Sequence, residues 1–178
     1  MNALPQQRVL VAGVGYQWCG DASWGLKAVE ALAQEQWPAF VEFTQFDYGA
    51  IYVSQELAAA QPPYSSIWFL CAVERDREHG SLRCYEWQAL KLNAEDLQAR
   101  IREAGAGVID LDHLLVIAHH FQALPKRTFI IEFEPADLST ATELSAAGKT
   151  AISEAADLIR QALGAAAGAE FTEEVHAH

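Results

Sequence analysis

The chain is short of positive charge: 12 lysines and arginines stand against 24 aspartates and glutamates, for a net charge of −12. A protein that grips a phosphate backbone needs a basic face, so no nucleic-acid partner is expected. Long hydrophobic runs are also missing. No stretch of about 18 apolar residues occurs, and no membrane span is expected. Cysteines are few and odd in number, at Cys19, Cys71 and Cys84. The N-terminal residues lack a signal-peptide layout, so the expectation is a cytoplasmic protein with reduced thiols. The G-x-S-x-G elbow of the α/β-hydrolases is absent, and Cys71 has no histidine or asparagine at a recognisable protease spacing. The dinucleotide fingerprint is incomplete as well. Gly13 and Gly15 are followed by Trp18 where the third glycine belongs, and Asp47 comes too late to hold a ribose.

What remains is a sizeable core and a regular alternation. The 178 residues are 51% hydrophobic, enough for one domain. Residues 8–14 form a short apolar run, and Leu26, Val29, Leu32 and Ala33 then recur at helical spacing. Between them lies a loop with Gly15, Gly20 and an acidic tip at Asp21. Residues 39–46 alternate as a strand, and 51–60 read as a helix stopped by Pro62 and Pro63. The nearly continuous apolar run 66–73 suits a central strand buried on both faces. A second strand is expected at 81–87, a helix capped by Asn93 and Asp96, and another from Leu111 to Phe121. A last buried strand over 127–133 and a helix capped by Ser145 complete the pattern. The order β-α-β-α-β-β-α-α-β-α predicts an α/β fold, a three-layer α/β/α sandwich with a mostly parallel central sheet. A single domain over 1–163 is expected, with a small, polar tail over 164–178 that reads as disordered.

In such sheets ligands bind outside the carboxyl ends of the strands, which puts the glycine loop after the first strand at the centre of attention. Cys19 lies just before a helix N-terminus, where a thiol pKa can be lowered. Cys71, inside an apolar strand, reads as a packed thiol. Asp110 and His113 share a helix face and could ligate one ion together, although Asp110 and Asp112 also suit a helix first turn. His119 and His120 are adjacent and point apart. The 74–80 loop, with Asp76, Glu78 and His79, reads as a solvated charged loop, and His176 and His178 belong to the tail.

Several stretches in order resemble one known family, the hydrogenase maturation endopeptidases. Residues 9–32, VLVAGVGYQWCGDASWGLKAVEAL, are similar to that family's strand, G-x-G-N loop, acidic pair and helix. Asp47-Tyr48-Gly49-Ala50 stands where the family has D-G-G-T. The strand through Cys71 stands where the family's third strand ends in Asp-Ala, and His79-Gly80-Ser81 matches its Pro-Gly-Thr turn. Residues 112–135, DHLLVIAHHFQALPKRTFIIEFEP, resemble its helix, Leu-Pro turn and closing strand. Leu144-Ser145 opens the last helix in the same way.

The resemblance implies a hydrogenase-maturation-protease-like sandwich over residues 8–163. It also implies an activity, removal of the C-terminal extension from a nickel–iron hydrogenase large subunit once nickel is inserted. The implied ligands are an acid in the first loop, an aspartate ending the third strand and a histidine opening the helix before the Leu-Pro turn. This chain puts Ala22, Cys71 and Gly107 at those positions, keeps Asp21 beside the first, and has Tyr16 for the loop asparagine and Ala50 for the threonine. Two functions follow from the resemblance. One is a non-catalytic, chaperone-like assembly component that binds a hydrogenase large subunit precursor or a maturation protein through the same cleft. The other is an active nickel-dependent endopeptidase with a rebuilt site. There Asp21, Cys71, Asp110 and His113 would hold nickel, and Asp21 or a bound water would assist hydrolysis. Gly13, Gly15, Tyr16, Ala22, Asp47, Gly49 and Gly107 would line the cleft in either case.

Overall fold

The β-branched and aromatic runs of the chain settle into a five-stranded sheet in a computed structural model that describes residues 8–89, 93–105, 108–139 and 141–166. The strands are β1 (Val9–Val14), β2 (Val41–Phe46), β3 (Ser66–Ala72), β4 (Leu82–Glu86) and β5 (Arg127–Phe133), in the spatial order β2-β1-β3-β5-β4. All neighbours are parallel except β4, which runs antiparallel along the outer edge of β5. Buried on both faces, β1 and β3 carry almost no polar side chains, as a central parallel strand requires.

Among the described residues five helices cover the two faces: α1 (Trp24–Leu32), α2 (Ala50–Ala59), α3 (Ala94–Gly105), α4 (Leu111–His120) and α5 (Ala146–Ala166). One core joins Val9, Val11, Trp68 and Ile131 of the sheet to Trp24, Ala28 and Leu32 of α1 and to Ala151, Ala155 and Ile159 of α5. The opposite core joins Leu10, Ile67, Phe69 and Ile130 to α2 and α4. The predicted layers and element order are therefore present. Helix α5 runs to Ala166, past Gly164 where the tail was expected to begin. No described helix is long and apolar enough to cross a membrane.

Helix α1 lies unusually close to the sheet. A Cβ on Gly13 would stand 2.2 Å from the Gly25 carbonyl oxygen, and one on Gly25 would stand 2.1 Å from that of Leu70. These glycines serve backbone-to-backbone contact between helix and strands rather than the approach of a ligand. Trp24 stacks on Phe133 with ring centroids 5.2 Å apart and donates its indole N–H to the Gly148 carbonyl at 3.0 Å.

Candidate functional site

Strand order reverses between β1 and β3, and the carboxyl ends of β1, β3 and β5 open onto one edge of the molecule. The loop after β1 passes through a 3₁₀ turn (Gly20–Ser23) before α1 begins. Asp21 in that turn is fully buried. Its Oδ2 accepts from the Ala136 and Asp137 amides at 2.9 and 3.0 Å and from the Ser145 hydroxyl at 2.8 Å. Its Oδ1 accepts from the Ser145 amide at 2.9 Å. Ser145 caps α5 by accepting from the Gly148 amide at 3.0 Å, so Asp21 fastens the first loop to the start of the last helix. Both its oxygens face protein donors. In this structure Asp21 acts as a clamp between the first loop and residues 136–145, where a metal ligand and catalytic carboxylate was expected.

The other candidate ligands are also committed elsewhere. Cys71 is buried, and its thiol donates to the Ala72 carbonyl at 3.3 Å. Burial, reinforced by the charges of Asp110, Glu132 and Asp112, pushes this thiol well above its ordinary range. Asp110 caps α4, accepting from the His113 amide at 2.8 Å. The His113 ring reaches Glu103 with Nε2 at 2.9 Å, while Nδ1 is buried without a hydrogen-bond partner, 3.8 Å from Asp110. Among the described residues no three His, Cys, Asp or Glu side chains come together so as to hold one ion. The quartet Asp21, Cys71, Asp110 and His113 is thus not gathered around one point in this structure. Ala22 carries no donor in its side chain. Gly107 lies outside the described residues.

The remaining cleft positions have mixed roles. Gly15 adopts φ +152°, and a Cβ there would meet the Ala22 carbonyl oxygen at 2.9 Å. The Tyr16 hydroxyl accepts from the Ile109 amide at 2.8 Å, bridging the first loop to the segment before α4. Asp47 is exposed and takes a long 3.3 Å contact from Gln17. Gly49 opens α2 with extended backbone, and its carbonyl accepts from the Tyr52 and Val53 amides. Next to Tyr16, Trp18 is 69% exposed and sits at φ +57°, a left-handed conformation that a bulky side chain adopts only under constraint.

Apart from Asp112, expected only as a first-turn acid, the residues that dominate the electrostatics here carry no motif. Glu132 and Glu134, at the end of β5, are only 3% and 2% exposed. Arg75 donates to both Asp112 oxygens at 2.9 and 2.8 Å and to Glu132 at 2.9 Å. Arg77 contacts Glu132 at 3.0 Å and Glu134 at 3.1 Å, and the Tyr85 hydroxyl donates to Glu132 at 3.0 Å. The 74–80 loop is thus not simply solvated: its two arginines reach back over the sheet. The Arg75 guanidinium holds Asp112 below the usual carboxylate range. Burial alone would raise Glu134, but the Arg75 amide and the Arg77 side chain bring it below that range too. The available signal was a glutamate inside the apolar strand RTFIIEF, since a buried carboxylate must find a cation.

The geometry defines a doubly wound α/β/α protein whose cleft is the carboxyl edge of β1, β3 and β5. Structural relatives narrow that class. A hydrogenase 2 maturation peptidase from Thaumarchaeota archaeon SCGC_AB-539-E09 is similar at 27% identity, with a TM-score of 0.60 over 89% of this chain and 99% of that one. The hydrogenase maturating endopeptidase HybD from E. coli is similar at 21% identity and a TM-score of 0.63, over 90% of this chain and 94% of its own. A solution structure of an endopeptidase from Escherichia coli aligns at 21% identity and a TM-score of 0.64, over 92% and 96% of the two chains. No protein-family model matches the chain, and no curated protein does. The chain has the fold of the hydrogenase maturation endopeptidases, as its sequence resemblance implied.

Proposed function

We propose that this chain is a non-catalytic member of the hydrogenase maturation endopeptidase fold. It would bind a nickel–iron hydrogenase large subunit, or another maturation protein, as an assembly component. The observation that carries this reading is the commitment of Asp21. The one acidic side chain kept in the first loop has both oxygens saturated by donors from the β5–α5 connection and α5. The lack of a free carboxylate there, and of a ligand trio among the described residues, supports a chain that does not seat nickel for hydrolysis.

Partner binding is supported by the same edge. Trp18 and Tyr16 project from it, 69% and 44% exposed, and exposed aromatics on a rigid loop are common anchors of protein interfaces. The test is a pulldown of purified hydrogenase large subunit precursor by this chain, run beside an assay for loss of the precursor's C-terminal extension. Binding without trimming is expected, weakened at least tenfold by Trp18→Ala. Trimming of a nickel-loaded precursor by the purified chain would instead establish the rebuilt-endopeptidase reading and overturn this one.

A further inference from the structure

Acidic side chains from two elements converge on Arg75 at the carboxyl end of the sheet, with Arg77 as a second cation against Glu132 and Glu134 at 3.0 and 3.1 Å. Glu132 ends β5 and Asp112 lies in the first turn of α4, and the Arg75 guanidinium bridges them with contacts of 2.8–2.9 Å. The Arg75 amide also donates to both oxygens of Glu134, each at 3.0 Å. Tyr85 adds a hydroxyl to the Glu132 oxygen that Arg75 already holds. In register, Glu132 stands beside Cys71 on β3, so Arg75 lies next to the strand end at which the fold's metal ligand was expected.

Two nearly buried carboxylates cannot stay ionised without a compensating charge. Converging carboxylates on rigid elements ordinarily achieve this with a divalent ion, which draws them together from all sides. A guanidinium does the same work with directed N–H donors and needs no metal supply, and its planar fork suits the paired oxygens of Asp112. Arg75 comes from the loop after β3, so it ties that loop, β5 and α4 together, as an ion bound by all three would.

We propose that Arg75 is a built-in cation that replaces a divalent metal at this edge, so that the geometry of the cleft is fixed without any metal. The inference deepens the non-catalytic reading and rests on it for its functional meaning. Its test, however, concerns stability and ion uptake alone. Arg75→Met keeps most of the stem and removes the charge. Its urea midpoint should fall, and cobalt(II) or cadmium in excess should raise it again, while neither ion moves the wild-type midpoint. Arg75→Met combined with Glu132→Gln removes the buried carboxylate that would be left with Arg77 and Tyr85 alone, while leaving Asp112 to water. That double variant should recover most of the lost midpoint without any ion and lose the response to cobalt(II).

Should the single variant not fold, the double variant carries the test. Its folding without metal supports the proposal, and its failure to fold overturns it. The proposal is also overturned if Arg75→Met is as stable as wild type without metal, if neither ion restores it, or if wild type takes up a stoichiometric cobalt(II). A chain that fails the pulldown yet behaves as described here would refute the assembly role and leave the built-in cation standing.

Discussion

Truncating Asp21 to alanine is the most direct probe of the first loop. It deletes the acceptor for three backbone amides, those of Ala136, Asp137 and Ser145, and for the Ser145 hydroxyl, at a residue with 0% exposure. A buried donor left without a partner costs about 1–3 kcal/mol. Ala136 and Asp137 are both exposed residues whose amides partly regain water, and the Ser145 hydroxyl still caps α5 through the Gly148 amide, so each of the three amides bears a penalty near the low end of that range. The sum is about 3 kcal/mol, a large share of the 5–15 kcal/mol typical of a folded domain. For a chain of this size that corresponds to a fall in melting temperature of roughly 6–12 °C. Asp21→Asn keeps the shape but turns an amide NH₂ toward the Ser145 N–H, and should cost about 2 kcal/mol. Urea unfolding followed by circular dichroism gives both values, with a lower midpoint and an unchanged slope. An Asp21→Ala variant within about 1 kcal/mol of wild type would refute the clamp and return this carboxylate to the list of groups free for chemistry.

Three further outcomes follow from the structure. Gly25→Ala would push a methyl group against the Leu70 and Val14 carbonyl oxygens, 2.1 and 2.6 Å from the new Cβ, and urea unfolding should register a loss of at least about 3 kcal/mol. Asp112 and Glu134 bind protons less readily in the folded chain than in the unfolded one. Their stabilisation is therefore complete above the ordinary carboxylate range, near pH 4, and is lost as pH falls through their lower folded values. Urea midpoints should be flat near neutrality and decline below about pH 5, less steeply in Arg75→Met; an equal decline in that variant would remove Arg75 from the explanation. Cys71 holds its proton too firmly to react, so iodoacetamide should label it only under unfolding conditions, as peptide mass mapping would show. Labelling of Cys71 in the native protein at the rate of a free thiol would contradict its burial.

The sandwich was legible because its signals are local. SIWFLCA is apolar after its first residue and suits a strand covered on both faces, and Asn93 and Ser145 cap their helices as their spacing suggested. The site was legible only as a location. Asp21 looked like a free acid because its partners are mainly backbone amides more than a hundred residues away, and an amide has no sequence signature. Gly13 reads equally well as making room for a ligand or for a helix, and only the tertiary structure places Gly25 against it. The arginine pair is an intermediate case. Glu132 within RTFIIEF announces that a cation must be near, but nothing local distinguishes Arg75 and Arg77 from the other charges of their loop.

The bonds from Asp21 to residues 136–145 also bear on how the protein is made. The loop that shapes the cleft is synthesised early, yet its fastening arrives only with the segment that leads into the last helix. Such a contact closes a very long loop and therefore forms late. A nascent chain on the ribosome can build β1, α1, β2 and β3 while the edge that would meet a partner is still unfinished. The edge is finished only after residues 136–145 have been made, so a product cut before them would leave the first loop unfastened.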